Sequence, residues 1–241
     1  KKCLILWFKN GGMKILCPKC SSHNCIKSGF TLQNKQRFHC KQCNVKFLST
    51  YTYNACLSTI NNQIVLLLRE GLGMRSICRI LKIALNTLIS RIKKISSSIK
   101  CPIVSEGNSY EVDEIRTYIK KKTSLVWIVY AIERGSKKVV SYAVGSRTNA
   151  TLSIVLNKVI SKSPFKIFTD KLKHYKYLIP DSIHRVIPRA TNTIERNNLT
   201  MRTHIKRLNR KTICFSKCIV MLSAILKIYF WYPRCTINRP F

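Results

Sequence analysis

Acidic residues are scarce in this chain: nine Asp and Glu stand against 44 Lys and Arg in 241 residues, for a formal charge of +35. So few carboxylates exclude an acidic or evenly mixed surface, and an excess of this size points to a polyanionic partner, nucleic acid above all. Each phosphate neutralised by Lys or Arg releases counterions, so such binding is strong and falls steeply with salt. A merely basic, ribosome-like protein is the alternative on charge alone. Long apolar runs are also missing. No stretch reaches the roughly 18 residues of a membrane span, because Lys227 interrupts the most apolar segment. Lys1 to Phe8 has a basic start, but its apolar run is shorter than the roughly 7 to 15 residues of a signal core. With no export signal, the twelve cysteines do not read as a secreted disulfide scaffold, and a reducing cytoplasm is expected.

What is present argues for packed domains, since 46% of the residues are hydrophobic. The first residue is Lys, and Met13 follows Gly11-Gly12 just ahead of the first cysteine motif. Residues 1–13 are therefore expected to be an upstream leader, with Met13 as the true start.

Cys17-Pro-Lys-Cys20 and Cys40-Lys-Gln-Cys43 are two C-x2-C pairs separated by nineteen residues. Matched pairs of this kind present four thiolates tetrahedrally to one structural Zn²⁺, which replaces a hydrophobic core in so small a segment. A zinc ribbon over 14–50 follows, with Cys25, His23 and His39 outside the metal shell. Lys35 and Arg37 are candidate phosphate contacts beside Phe38.

Apolar residues at helical spacing predict helices over 62–69, 74–81 and 86–95, broken between the first two by Gly71 and Gly73. This is a helix-turn-helix pattern within 55–100, with Ile77, Ile80 and Leu81 on one stripe and Leu85, Leu88, Ile89 and Ile92 on another. The last helix would offer Asn86, Thr87, Ser90, Arg91 and Lys94 to a major groove. A plain helical hairpin is the competing reading. From Lys14 to Lys100 fifteen basic residues face a single acid, Glu70, which favours DNA.

Ser96-Ser97-Ser98 and the polar stretch through 101–109 read as a linker. Beyond it, strands are expected at 110–119, 125–132 and 138–144, with a turn at Arg134-Gly135-Ser136, then a helix at 151–161 and strands at 165–169 and 184–187. A long helix at 193–208 carries Ile194, Met201, Ile205 and Leu208 on one stripe. The sum is an α/β or α+β domain over 110–232, with a tail at 233–241.

Asp113 lies inside the first of these strands, on the face opposite Val112 and Glu114 by side-chain alternation. Asp170 ends a strand, and Glu195 begins the long helix. Clustered carboxylates repel unless a cation neutralises them, and hard oxygen ligands suit Mg²⁺ or Mn²⁺. Two such ions about 4 Å apart can activate water or a 3′-hydroxyl in phosphoryl displacement. Arg202 stands seven residues after Glu195, on the same helix face, where a cation could grip a phosphate. Arg196, Lys206 and Arg207 are further candidate DNA contacts. From Arg185 to Phe241 there are twelve basic residues and one acid, Glu195, so an incidental carboxylate is less plausible there.

These residues resemble the DDE transposases of bacterial insertion sequences, most closely the insertion-sequence-one family. The four-cysteine ribbon with Lys35-Gln-Arg-Phe-His-Cys-Lys-Gln-Cys43 is similar to that family's N-terminal motif. Val112-Asp113-Glu114, Trp127-Ile-Val-Tyr-Ala-Ile132, Gly145-Ser-Arg-Thr148 and Thr169-Asp170 follow in the family's order. The densest match is Thr193-Ile-Glu-Arg-Asn-Asn-Leu199 with Arg202-Thr203, Ile205-Lys-Arg-Leu208 and Arg210-Lys-Thr-Ile-Cys-Phe-Ser216. Twenty-four residues separate Asp170 from Glu195, as in the family's shortened arrangement.

The resemblance implies an RNase-H-like catalytic domain with Asp113, Asp170 and Glu195 as triad and metal ligands, and Arg202 as their basic partner. It implies that the ribbon and helix-turn-helix bind terminal inverted repeats, that the partner is double-stranded DNA at element ends and target, and that the chain is a homo-oligomer in the DNA complex. The expected setting is the bacterial nucleoid, without a membrane. A repressor using the DNA-binding half alone, or an inactive relic, is the alternative, and a nuclease without strand transfer is a weaker one. One departure is Lys171-Leu172, where the family carries Gly-Trp after the second Asp.

Overall fold

The computed structural model describes residues 5–6, 14–209, 212 and 214–233. The expected leader, Ile5 and Leu6 apart, lies outside them, as do the tail from 234 and Arg210, Lys211 and Ile213 of the dense motif. The chain divides into two compact units, Lys1–Asn62 with Leu81–Ile83, and Gln63–Ile80 with Ala84–Phe241.

In the first unit β1 (Ile5–Leu6) pairs with β2 (Lys14–Ile15), and β3 (Cys25–Phe30), β4 (Gln36–Cys40) and β5 (Lys46–Leu48) form an antiparallel sheet. Alternation turns Phe38 and Cys40 of β4 inward to meet Phe47 of β5, with the two rings 5.9 Å apart. Cys17 completes this small core. Four side chains bury too little apolar surface to hold a fold by themselves, which is where a metal would contribute.

Three helices follow, α1 (Ile60–Arg69), α2 (Met74–Leu81) and α3 (Leu85–Ser98), with residues 82–84 as the turn between the last two. Gly71, between α1 and α2, is required twice over: its φ is +73°, and a Cβ there would stand 2.2 Å from the carbonyl oxygen of His204. Two expectations need correction. Ser96–Ser98 are not linker but the last turn of α3, because Ser96 is buried and the hydroxyls of Ser97 and Ser98 bond back to the carbonyls of Lys94 and Ile95. Ile80 and Leu85 face solvent, and Ile95 takes a buried place on α3 beside Leu88 and Ile92.

From Ser109 onward the chain builds a five-stranded sheet in the order β10 (His184–Arg185), β9 (Lys166–Phe168), β6 (Ser109–Ile119), β7 (Lys121–Glu133), β8 (Val139–Gly145). β6, β7 and β8 form an antiparallel meander, whereas β9 runs parallel to β6 and β10 parallel to β9. That order and polarity is the RNase-H-like arrangement. One face packs against α4 (Asn149–Ile160) and α5 (Lys173–Leu178), with Val112, Val129, Val155 and Tyr175 in the core. The other packs against α6 (Asn192–His204) and α7 (Ile219–Trp231), with Ile115, Ile128, Ile194 and Leu226 inside. The helix expected over 193–208 is split. Ile205 takes an extended conformation and a short 3-10 helix, Lys206–Leu208, follows, with its end tied back by Arg202 Nη1 to Leu208 O at 2.7 Å.

Candidate active site and metal centres

Two knuckles built to one plan carry the paired cysteines. Cys20 is followed by Ser21 at φ 58° and Cys43 by Asn44 at φ 59°, left-handed positions that short polar side chains tolerate. In each knuckle the N–H of that residue donates to the carbonyl of the first cysteine at 2.9 Å, and the first cysteine's N–H donates to the carbonyl of Ser22 or Val45 at 3.0 Å. The four sulfurs thereby lie within 4.8 Å of one another, Cys17 and Cys43 at 3.4 Å and Cys20 and Cys40 at 3.6 Å. Tetrahedral zinc, with Zn–S near 2.3 Å, spaces its sulfurs about 3.8 Å apart, so this set fits that ion. The Cys40 thiol is pulled down to about 6, first by the backbone N–H of Cys43, which favours the thiolate a metal needs. Cys25 stands outside the group, paired across the strands with Cys40, and burial pushes its thiol up to about 11.

The carboxylates converge because β9 is short. It pairs with β6 only from Ser109 to Glu111, in a register that sets Glu111 beside Phe168. Two residues further along each parallel strand come Asp113 and Asp170, side by side where β6 has lost its neighbour. Asp113, Glu114 and Asp170 bring oxygens within 4.8 Å of one another. Glu114 is a member that the alternation argument placed on the far face. It does point toward Tyr175, whose hydroxyl donates to Oε1 at 2.9 Å, but at a free strand edge both faces are in reach.

Burial pushes the Asp113 carboxyl up to about 6, the charges of Asp170 and Glu195 add to that, and the N–H of Glu114 and the amide of Asn198 oppose it. Burial also raises Glu114, whose carboxylate Arg147 approaches at 3.5 Å. Three carboxylates sharing so small a volume, two of them desolvated, form a set of hard oxygen donors that fits a divalent cation.

Glu195 does not join that group as expected. It is exposed, and its Oε1 accepts from Thr191 Oγ1 at 2.9 Å, although its charge is felt at Asp113. What ties α6 to the strand is Asn198, whose Nδ2 donates to Asp113 Oδ2 at 2.6 Å while its Oδ1 accepts from the hydroxyl of Tyr130. Glu111 holds the helix start: Oε2 accepts the N–H of Ile194 at 2.9 Å and Oε1 pairs with Arg134 Nε at 3.0 Å. Sequence reasoning assigned no role to Glu111, Glu114, Arg147 or Asn198. The available signals were that Glu114 adjoins Asp113 in a chain nearly free of acids, and that Asn198 sits one helical turn past Glu195.

Arg202 and Glu114 line one cavity of about 370 Å³ along the free edge of β6, together with Arg116 and Trp127. Arg196 and Lys206 are exposed. Arg207 differs from these two: it is half-buried, its guanidinium donates to Ser216 Oγ at 3.1 Å, and burial lowers its pKa. On α3, Asn86, Ser90 and Lys94 are exposed and Thr87 and Arg91 half-buried. Arg37 is exposed on the ribbon, and Lys35 Nζ donates to Thr52 Oγ1 at 2.7 Å. The Asp170 turn closes through the N–H of Leu172 to Asp170 Oδ1 at 3.0 Å, and Lys171 keeps a negative φ, so nothing here demands the family's glycine.

An RNase-H-like sheet with carboxylates at its open edge, behind a helix-turn-helix, in a chain this basic, defines a DNA transposase. Residues 108–232, more than half the chain, match the family described as IS1 transposase, and residues 51–97 match the InsA C-terminal domain. The chain belongs to the IS1 transposase family. Insertion element IS1 2 protein InsB of Escherichia coli (strain K12) is 32% identical over 151 residues, covering 61% of this chain and 84% of the relative. Insertion element IS1 3 protein InsB of the same strain matches equally, at 32% over 151 residues. Among solved structures, the simian T-cell lymphotropic virus intasome in complex with PP2A regulatory subunit B56 gamma overlaps at TM-score 0.37 and 13% identity, over 68% of this chain and 66% of that one. The HTLV-2 integrase catalytic core domain in complex with magnesium (trimeric form) overlaps at TM-score 0.36 and 16% identity, over 53% of this chain and 86% of that one. Neither overlap is close enough to inform the chemistry. Among the described residues no helix is long and apolar enough to cross a membrane.

Proposed function

We propose that this chain binds the terminal inverted repeats of its insertion element and, at the Asp113 cluster, catalyses metal-dependent DNA cleavage and strand transfer. The convergence of Asp113, Glu114 and Asp170 at an open sheet edge carries this reading, because a repressor built on the N-terminal modules has no use for it. Asp113, Asp170 and Glu195, with Glu114 as a further carboxylate, would hold two Mg²⁺ or Mn²⁺ ions. Cations bound there supply Lewis acidity that favours ionisation of the attacking hydroxyl and offsets charge on the leaving oxygen.

In the first reaction a water oxygen attacks the phosphorus at the element's end, the bond from phosphorus to the 3′-oxygen breaks, and the element is left with a 3′-hydroxyl. In the second, that hydroxyl attacks a target phosphodiester, a new ester forms, and the target's own 3′-oxygen leaves. Asn198 orients Asp113 for both, and Arg202 and Arg147 would hold phosphate oxygens beside the carboxylates. Asn86, Thr87, Ser90, Arg91 and Lys94 of α3, with Lys35 and Arg37 of a ribbon held by one Zn²⁺ on Cys17, Cys20, Cys40 and Cys43, read and grip the ends. Arg196 and Lys206 extend the basic surface around the carboxylates. Cutting two ends and joining them to one target calls for a homo-oligomer, working on DNA in the bacterial nucleoid.

The test is a duplex bearing the element's end, incubated with the full chain. Cleavage and joining should require Mg²⁺ or Mn²⁺, stop with chelator, and vanish in Asp113→Asn while end binding persists. Cutting that survives both chelation and Asp113→Asn would overturn the reading.

A further inference from the structure

β8 is the outermost strand of the sheet, with β7 on one side and no strand on the other among the described residues. An edge strand presents outward N–H and C=O groups that template another strand. Side chains take the first of these: Trp231 Nε1 donates to Val139 O at 2.7 Å and Lys158 Nζ to Val140 O at 3.2 Å. From Ser141 to Val144 the edge instead floors a groove of about 760 Å³, walled by α4 and α7 and closed by the end of α3. The walls are apolar, with Ile154 and Val220 each 61% exposed. The rim is basic: Lys93, Lys158 and Lys227 line the groove, and no Asp or Glu does.

We propose that this groove binds an extended acidic peptide of another protein, added to β8 as a further strand. Main-chain hydrogen bonds to the free edge would supply affinity, and alternate side chains would supply specificity. Apolar side chains settle between Ile154 and Val220, and carboxylates meet the three lysines. At about 3.3 Å per residue, the open edge accommodates roughly four or five residues.

Two other occupants fit less well. DNA would satisfy the lysines but leave the apolar walls against a charged backbone. A second copy of this chain has few acids to offer: of nine, Glu111 and Glu133 are buried and Asp113, Glu114, Asp170 and Glu195 belong to the candidate active site.

The test uses the full chain and a fluorescein-labelled hexapeptide of alternating glutamate and valine, read by fluorescence anisotropy. Binding should be saturable and weaken at high salt. It should weaken about tenfold in Lys158→Glu, as expected when attraction turns to repulsion at one contact, and again in Ile154→Asp. Amides within 141–144 should gain protection from hydrogen exchange when the peptide is bound. Circular dichroism and binding to element-end DNA should match the parent in both variants, which separates a lost groove from a lost fold. The proposal fails if an alternating lysine and valine hexapeptide binds equally well, or if a single-stranded oligonucleotide displaces the peptide at equal concentration. It fails equally if sedimentation shows that Ile154→Asp splits a dimer that the peptide does not affect.

Discussion

Asn198 on α6 donates to Asp113 on β6, Nδ2 to Oδ2, at 2.6 Å. The amide is held in that sense because its Oδ1 accepts from the buried hydroxyl of Tyr130. Through this bond the helix that carries Glu195 is fixed against the strand that carries Asp113. Asn198→Ala removes a hydrogen bond to a charged group, worth about 1.5 to 3 kcal/mol. Cleavage of end-bearing DNA should therefore fall by about tenfold or more, with little change in end binding. Unchanged cleavage kinetics in a folded mutant would show that Asn198 does not position the carboxylate.

The proposed Zn²⁺ at Cys17, Cys20, Cys40 and Cys43 makes the ribbon's fold metal-dependent. Cys40→Ser should lower the zinc count from one per chain toward none and abolish end binding, because a core of only Cys17, Phe38, Cys40 and Phe47 cannot hold the fold alone. Metal analysis alongside a DNA shift assay checks both, and a full zinc complement in the mutant would exclude the assigned ligands.

Gly71 and Gly73 make a paired test of the break between α1 and α2. Gly71→Ala combines a strained φ with a collision against the carbonyl of His204, and should destabilise the chain by about 2 kcal/mol or more. Nothing lies within 4 Å of a Cβ at Gly73, so Gly73→Ala should melt near the parent. Equal melting temperatures for the two variants would argue against the close approach.

Lys94 and Arg207 should separate an exposed from a half-buried, hydrogen-bonded basic charge. Lys94→Ala is expected to reduce the slope of log affinity against log salt by about one, the signature of a lost phosphate contact. Arg207, held inward by Ser216, should leave that slope unchanged when replaced by Ala. Titrations over a range of salt concentrations read both, and a reduced slope in Arg207→Ala would place that side chain on the DNA after all.

Much of the site was legible because its signals are periodic or paired. The cysteine spacing led to the four sulfurs, strand alternation placed Asp113, and the stripe of Ile194, Met201, Ile205 and Leu208 is buried as read. The rest depends on contacts no local pattern records. Glu114 joins Asp113 only because β9 stops at Phe168 and leaves the edge of β6 open. Ser96–Ser98 look like a linker until their hydroxyls find carbonyls of their own helix. Both α7, apolar on nearly every side, and α5, six residues long, lack a 3.6-residue stripe strong enough to announce a helix. Arg207 reads as one more surface cation in a basic run, and only tertiary packing turns it inward.

The most direct test of the catalytic assignment is strand transfer by Glu195→Ala, measured with Mg²⁺ on DNA carrying the element's ends and a target duplex. End binding should stay at the parental level while cleavage and joining fall by about a hundredfold or more. Joining at the parental rate would contradict that assignment.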